Sequence, residues 1–396
     1  MTDIQKENKS GGKVPNNPKQ IPNLRFTNFS EPWKSIRLAD ICEINPKNES
    51  LPSSFIYIDL ESVANGQLLK EDFISKNEAP SRAQRVLSKN DVLFQMVRPY
   101  QKNNLFFDKE GKYVASTGYA QIRTKQNPQF VFQYLHNQRF VDNVIERCIG
   151  TSYPAINSKD LGNIQIDYPC LEEQKKISSF LALLDERIQT QNKIIKGLKS
   201  LKIALAKKIF SQELRLKDDN GNDFSEWEED CLENVCDIKK GEQFNKEDLN
   251  EIGLYPCLNG GISPSGFSEK YNTDENTITI SEGGNSCGFV NFMKTKFWLG
   301  GHCYKILLFK KISLMYFYQL LKFNEQNVMN LRVGSGLPNI QMKSLKRFTI
   351  KISTSESEQN KIANFLSAID SKIDIESQLL QKLEEQKKFL LQNMFV

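Results

Sequence analysis

Glu173-Gln174-x-Lys176-Ile177-x-x-Phe180-Leu181-x-x-Leu184-Asp185-x-x-Ile188 returns later in the chain as Glu358-Gln359-x-Lys361-Ile362-x-x-Phe365-Leu366-x-x-Ile369-Asp370-x-x-Ile373, at a constant offset of 185. The correspondence runs on through Leu198/Leu383, Leu205/Leu390 and Phe210/Phe395, about 38 ungapped positions. A repeat of that length decides the organisation of the chain before any other feature is read. Within each copy the apolar positions step by four and three. The first seam is Ile177, Leu181, Leu184, Ile188, Gln191, Ile195, Leu198, Lys202, Leu205 and Ile209. The second is Ile362, Leu366, Ile369, Ile373, Glu376, Leu380, Leu383, Lys387, Leu390 and Met394. This spacing predicts two long heptad helices, each broken by polar residues at the same two rungs, Gln191/Glu376 and Lys202/Lys387. A polar seam residue weakens packing but penalises shifted registers.

Residues 171–212 carry nine basic and four acidic side chains, and residues 354–396 carry five and seven. Opposite net charge favours pairing the two copies with each other over pairing like with like. A helix of about 40 residues would extend roughly 60 Å, more than a small core requires. The alternative is that the two helices merely flank globular cores.

The segments before the helices match more loosely. Leu24-Arg25-Phe26, Phe29-Ser30-Glu31-Pro32-Trp33, Leu38, Ile41, Cys42 and Ile44 open the first half. Leu214-Arg215-Leu216, Phe224-Ser225-Glu226-Trp227, Leu232, Val235, Cys236 and Ile238 open the second. Gly150-Thr151-Ser152-Tyr153-Pro154-x-Ile156 closes one half and Gly334-Ser335-Gly336-Leu337-Pro338-x-Ile340 the other. Between these ends the sequences diverge, reading as mixed α/β. Ser54–Leu60, Asp91–Val97, Thr277–Ser281 and Tyr304–Phe309 have strand character, and Phe130–Cys148 and Leu314–Met329 read as surface helices. The expected fold class is therefore α+β: two similar mixed α/β domains joined by two long antiparallel coiled-coil helices, with an internal pseudo-two-fold repeat. The expected divisions are a disordered lead-in (1–20), a first domain (21–170), a central long helix (171–212), a second domain (213–353) and a C-terminal long helix (354–396).

The repeated Glu-Gln-x-Lys-Ile-x-x-Phe-Leu-x-x-Leu/Ile-Asp motif, each copy following the turn at Pro154 or Pro338, resembles the specificity subunit of type I restriction–modification systems. Leu24-Arg25-Phe26…Glu31-Pro32-Trp33…Leu38 is similar to that family's N-terminal stretch. Ser88-Lys89-Asn90-Asp91-Val92-Leu93-Phe94, Ala115-Ser116-Thr117-Gly118-Tyr119-Ala120 and Ile280-Ser281-Glu282-Gly283-Gly284 with Phe297-Trp298 look like target-recognition domains. The resemblance covers nearly the whole chain from residue 21. It implies two target-recognition domains, each reading half of a bipartite site in double-stranded DNA. The paired helices would set the unread gap and dock two methyltransferase (modification) subunits, with a restriction/translocase subunit completing the complex. S-adenosylmethionine, ATP and Mg would then bind those partners, and this chain would hold no cofactor.

Direct readout needs donors and acceptors on exposed loops, together with cations for phosphates. The candidates in the first domain are Arg82, Arg85, Arg98, Tyr100, Lys102, Asn103, Asn104, Ser116, Thr117 and Tyr119. Arg82 and Arg85 have the spacing of one side of a helical turn. In the second domain they are Asn259, Ser263, Ser265, Asn285, Ser286, His302, Lys305 and Arg332. Each could equally be a turn former or a solvated surface residue. Charge segregation supports a polyanionic partner: residues 294–351 hold eleven basic side chains and one acid, and residues 76–125 ten against four. The nine acids between Asp218 and Asp237 run against this and should face away from DNA or toward a protein partner.

Catalytic patterns are missing where they would be sought. Asn17-Pro18, Asn45-Pro46 and Asn127-Pro128 are not followed by the second proline and aromatic that an adenine methyltransferase needs. Gly260-Gly261 and Gly283-Gly284 lack nucleotide-binding spacing and read as loop glycines. Glu173-x-Lys175 has nuclease-like spacing, but its repeat counterpart is Asn360. With two histidines and eight cysteines in no close pairs, no catalytic or metal residue is expected, and the thiols read as reduced. No apolar run is long enough for a transmembrane helix, so a cytoplasmic location is expected. Two rivals remain at this stage: a coiled-coil scaffold with two protein-binding heads, and a fused methyltransferase–specificity protein.

Overall fold

The computed structural model describes residues 21–396 except 49, 246, 248, 310, 335 and 337. The expected disordered lead-in, 1–20, lies outside the described residues, as do two positions of the Gly334–Pro338 turn. The chain is α+β and divides into two compact units. One takes the chain up to Gln191 together with Leu379–Val396, and the other is Asn192–Gln378. The two heptad segments form continuous helices, Leu171–Phe210 and Glu356–Asn393, and each helix contributes one part to each unit.

In the first unit a four-stranded antiparallel sheet runs in the order Cys42–Ile44, Tyr119–Thr124, Asp91–Gln95, Leu105–Phe107. In the second unit the order Cys236–Lys240, Cys303–Leu308, Thr277–Ser281, Val290–Met293 has the same connectivity. Registers agree residue for residue, since Ile122 faces Ile44 and Ile306 faces Ile238. A two-stranded ribbon precedes each long helix, Lys34–Arg37 with Gln165–Tyr168 and Glu228–Cys231 with Thr349–Ile352. The units part in their outer sheets. The first adds Phe73–Ser75, Ser54–Ile58, Tyr113–Ser116 and Ala83–Val86, and the second adds Gly266–Ser268, Tyr255–Leu258 and Trp298–Leu299.

The helical stretches expected at Phe130–Cys148 and Leu314–Met329 are each two helices: the first of each pair is largely buried, while Gln138–Ile145 and Glu325–Met329 keep an exposed face. Pro128–Tyr134 and Gln138–Ile145 break at Asn137, whose side-chain oxygen accepts from Arg139 N–H while its amide donates to Leu391 O at 2.6 Å. Leu314–Phe323 and Glu325–Met329 break at Asn324. Asparagine competes for backbone hydrogen bonds and so ends a helix. Phe130 through Tyr134, and Tyr316, Phe317, Leu320 and Leu321, are buried. Their apolar periodicity faces the central sheet on one side and the long helices on the other, which is why amphipathicity alone suggested an exposed face.

In each unit the start of one long helix pairs antiparallel with the end of the other. Ile177, Leu181 and Leu184 share a core with Leu383, Leu390 and Met394, while Ile209 shares another with Ile362 and Leu366. Every seam position, the polar rungs included, is buried or half-buried, with Gln191 6% and Glu376 9% exposed. The lysine rungs are ion-paired across the seam: Lys387 with Asp185 in the first unit, and Lys202 with Asp370 at 2.7 Å in the second. An aromatic cluster closes each unit. Trp33, Phe130 and Phe395 pack with centroids 5.5–6.2 Å apart, and Trp227, Tyr316 and Phe210 at 6.0–6.1 Å.

The repeated motif also binds each domain to its helix. Gln174 accepts from Asn127 N–H at 3.1 Å and donates to Pro169 O, capping the start of Pro128–Tyr134. Gln359 does the same for Leu314–Phe323, accepting from Ser313 N–H at 2.8 Å and donating to Ser353 O. Farther along, buried Gln133 donates to Asp185 at 2.6 Å and buried Gln319 to Asp370 at 2.8 Å. Glu173 takes a bidentate bond from Arg25, whereas Glu358 accepts from Trp227 Nε1, so the openings of the two halves are not interchangeable in detail.

Asp370→Leu should therefore strand both Lys202 and Gln319 and lower stability in denaturant titration by about 1–3 kcal/mol. Adding Lys202→Met and Gln319→Leu should recover much of that loss, because apolar replacement of a whole partly buried network removes its desolvation cost. A loss unchanged in the triple variant would show that the network is not the source.

Candidate nucleic-acid interface

At one end of each central sheet the chain leaves its strand through a loop pinned by the repeated proline. In the first unit Ile156 N–H donates to Met96 O, and Arg98 N–H donates to Pro154 O at 2.7 Å. In the second, Ile340 N–H donates to Glu282 O and Gly284 N–H to Pro338 O at 3.0 Å. The neighbouring strand supplies a matching pair, Met96 N–H to Gly118 O and Glu282 N–H to His302 O. Met96-Val97-Arg98 and Glu282-Gly283-Gly284 therefore occupy equivalent positions despite unrelated sequences. Both third residues are left-handed, Arg98 at φ 53° and Gly284 at φ 76°. Gly150 and Gly334, which open the two closing turns, both have φ 96°.

In the first unit this frame presents Arg98, Pro99, exposed Tyr100 and a second left-handed residue, Lys102, around the short 3₁₀ turn Pro99–Gln101. The Arg98 guanidinium lies 4.1 Å from the ring centre of Tyr153, which is 65% exposed. Tyr153 was absent from the sequence-based candidates, and only its place in the repeated Gly-to-Pro turn could have marked it. Thr117 donates its N–H to Arg82 O and lies next to Gly118, so Arg82 and Thr117 join the same rim. Arg82 and Arg85 do not share a helical face. Arg85 is in the strand Ala83–Val86 and Arg82 in the turn before it, where side chains three apart alternate in direction. Burial lowers the Arg85 pKa, and its Nε has no partner among the described residues.

Five candidates of the first unit are engaged inside the fold. Tyr119 is fully buried, with its hydroxyl donating to Asp59 O. Asn104 is 1% exposed and accepts from Gln95 N–H, and Ser116 is 4% exposed and accepts from Gly118 N–H. None of these three can reach a base edge without unfolding its strand or loop, which corrects the sequence expectation. Alternation placed them on inward faces that a list of polar residue types cannot reveal. Lys102 donates to His136 O at 3.2 Å and Gln138 at 2.8 Å, and burial lowers its pKa. Its ammonium fastens the loop to the helices. Asn103 is half-buried beside it and donates its N–H to Gln95.

In the second unit the frame gathers Gly283, Gly284, exposed Asn285 and half-buried Ser286 beside exposed His302 and Arg332. Glu282 organises this group. It pairs with Lys240 at 2.7 Å, accepts from Tyr304 OH at 2.9 Å and lies 3.9 Å from His302 Nδ1. Sequence reading found neither Glu282 nor Lys240, which come together only through the sheet. A Cβ on Gly260 would meet His302 Cβ at 3.1 Å, so this glycine carries the close approach of two loops. Asn259 is half-buried against Gly300, and Ser263 and Ser265 are exposed on the neighbouring loop. Lys305 points elsewhere, donating to Thr273 at 3.5 Å.

Glu173 of the nuclease-like spacing is 1% exposed and fully committed to Arg25. Burial raises the Cys42 and Cys303 thiols to about 11 and Cys236 to about 12, so they are protonated near neutral pH. Among the described residues, no group of three His, Cys, Asp or Glu could hold a metal ion, and no helix is long and apolar enough to cross a membrane.

His136 links the loop to the helices through its carbonyl. Burial pushes its imidazole pKa down to about 4, with the Lys387 ammonium adding to the effect. The unfolded chain therefore binds this proton first. Stability supported by neutral His136 is complete above about 6.5, the ordinary value, and is lost as pH falls toward 4. Urea titrations at pH 7.5 and pH 5 should show a smaller acid loss for His136→Gln than for the unsubstituted chain. Equal losses would contradict this.

The family model for the type I restriction modification DNA specificity domain matches residues 30–200 and 224–385. A protein of Mycoplasma genitalium assigned as a type I specificity subunit is 33% identical over 157 residues, 39% of this chain and 41% of that one. A Mycoplasma pneumoniae relative with the same assignment is 33% identical over 162 residues, 40% and 43%. The chain thus spans about two fifths of the length of these relatives. The MjaVIII type I restriction enzyme specificity subunit of Methanocaldococcus jannaschii is 24% identical and covers 95% of this chain and 94% of its own length. Among solved structures, the type I restriction–modification S subunit from M. genitalium aligns with a TM-score of 0.66 at 18% identity, over 95% of this chain and 99% of that one. That similarity speaks for the fold.

Proposed function

The chain belongs to the type I restriction modification DNA specificity family, and on that premise we propose that it is the DNA-reading subunit of a type I restriction–modification complex. Each unit reads one half of a bipartite site in duplex DNA. The observation that carries this reading is the pinned loop: one backbone frame occurs twice, holding Arg98, Tyr100 and Tyr153 in one unit and Gly284, Asn285, Ser286 and Arg332 in the other. Identical frames with different side chains are what two readers of different sequences require, since backbone contacts set register and base-edge contacts set specificity. Thr117, Arg82 and His302 extend the two rims.

The long helices hold the units at a set spacing and dock two methyltransferase subunits, with a restriction/translocase subunit completing the assembly. Support comes from apolar side chains left exposed along them: Phe180, Leu183 and Phe389 in the first unit, Ile203, Phe365 and Ile375 in the second. Exposed apolar surface of this kind marks a protein interface. The chain itself is not an enzyme in this proposal, and S-adenosylmethionine, ATP and Mg act on its partners. The protonated thiols and the internally committed Glu173 fit that division of labour.

Exchanging residues 30–168 for those of a relative, then mapping methylated adenines, should change one half-site and leave the other. A change in both would refute separate readers. Inserting one matched heptad after Leu198 and after Leu383 preserves both seams and adds about 10 Å, or roughly 3 bp, at ~1.5 Å per residue and ~3.4 Å per base pair. The unread gap should widen by that amount, with weaker activity because the second half-site is also turned around the duplex. An unchanged gap would mean that the helices do not set it.

A further inference from the structure

The second unit carries a hollow of about 470 Å³ lined by Glu233, Met342, Lys343, Lys346 and Arg347. It lies beside the short helix Met342–Lys346, which leaves the pinned Pro338–Ile340 segment of the DNA-reading frame. Lys343, Lys346 and Arg347 are spaced at i, i+3 and i+4, which puts three cations on one side of a single turn. Like charges at these spacings repel by about 0.2–0.5 kcal/mol per pair in an isolated helix. Among the described residues, none of the three side chains makes an ion pair or hydrogen bond. Glu233, the one carboxylate in the lining, leaves the hollow a net charge of +2.

The first unit shows the same frame with one cation in place of three. Leu38 N–H donates to Ile164 O as Leu232 N–H donates to Phe348 O, so the two short helices correspond residue by residue. Lys343, Lys346 and Arg347 then answer to Lys159, Gly162 and Asn163, and Glu233 to Ala39. On the adjoining turn, exposed Arg332 answers to Cys148, since Val333 bridges Asn339 as Ile149 bridges Ala155. The fold therefore does not require positive charge at the positions of Lys346 and Arg347. Gly162 closes the same position against Ala39 and Ile44, where a Cβ would come within 3.1 Å.

We propose that Lys343, Lys346 and Arg347 form a phosphate-binding patch for the backbone of duplex DNA, through which the second unit supplies more of the sequence-independent affinity than the first. The inference rests on the DNA-reading function proposed above and adds an asymmetry to it. A patch of cations with no protein partner suits a polyanion, because each phosphate contact releases a condensed counterion, with a salt slope of about 0.9 per contact. Such contacts hold the protein on any sequence and leave discrimination to the loops. Three of the acids between Asp218 and Asp237 lie in the strand Glu228–Cys231, which pairs with Thr349–Ile352 just beyond the patch.

The test is a salt titration of the full-length chain on a random-sequence duplex, comparing the unsubstituted protein with Lys343→Gln/Lys346→Gln/Arg347→Gln and with Lys159→Gln. The triple variant should lose about two to three units of the slope of log K against log salt, at ~0.9 per phosphate, and Lys159→Gln no more than about one. Lys346→Arg/Arg347→Lys should keep the slope, which separates charge from folding damage, and circular dichroism should show the same helix content throughout. An unchanged slope in the triple variant would overturn the patch while leaving DNA binding by the chain intact. A lost methyltransferase association with the slope retained would reassign the hollow to a protein partner and overturn it too. Absence of any duplex binding at low salt by the unsubstituted chain would overturn both this inference and the function on which it rests.

Discussion

A half-buried aspartate carboxylate shared between a lysine of the opposing helix and a glutamine of the recognition domain is the constraint on which each unit depends. Asp185 meets Lys387 and Gln133, and Asp370 meets Lys202 and Gln319. A carboxylate taken out of water must be paired, and a seam lysine must find an anion, so a helix pairing slipped by one heptad would strand both. The glutamine brings in the domain as a third party. With Gln174 or Gln359 capping the same short helix about three turns earlier, each domain is held to its long helix at two points on one face. A single set of side chains thus fixes helix register and domain seating together. That explains why Glu-Gln and Asp recur alongside the apolar seam.

Sequence periodicity made the long helices legible because a heptad repeat is a local, one-dimensional signal. Lys202 and Lys387 were legible as polar rungs, but their partners were not: Asp185 and Asp370 are off the seam, and Gln133 and Gln319 look like ordinary polar helix residues. Individual strands of the central sheet were legible, and its edge strand through the Cys42/Cys236 and Ile44/Ile238 match, but the shared strand order was not. Only main-chain hydrogen bonds and apolar inward positions are shared there, so Asp91–Gln95 and Thr277–Ser281 have no resemblance beyond strand character. Apolar periodicity also misjudged Pro128–Tyr134 and Leu314–Phe323, whose second faces are buried by helices distant in sequence.

Candidate DNA contacts were legible only by residue type, and type says little about direction. Tyr119, Asn104 and Ser116 are buried within strands and turns, while Tyr153 and Lys240 reach the rims through neighbours that the sequence does not place beside them. The divergence between the units is greatest where side chains point outward from the shared frame. A reader of sequence variation would expect that pattern, since the frame must persist while the loops change.

The two units reach the same left-handed corner at different cost. Glycine adopts the conformation of Gly284 freely, whereas Arg98 and Lys102 both hold it with full side chains, at an expense on the order of 1–3 kcal/mol each. Such strain persists only where the surroundings over-determine it. Here Pro154 O holds the Arg98 amide, Tyr153 holds its guanidinium, and His136 O with Gln138 holds Lys102. The first unit thereby fixes a cation at the hinge of its reading loop, set in place before any ligand arrives. The second leaves that hinge to glycine and carries its unpaired cations on the frame beside it. If each unit reads one half-site as proposed, a rigid charged loop would favour selectivity there, because little ordering cost remains to be met on binding. Glycine at the other hinge would leave more of that ordering to the complex, with the proposed cation patch supplying attraction that does not depend on sequence. On the function proposed above, the same backbone would divide discrimination and attachment unequally between its two copies.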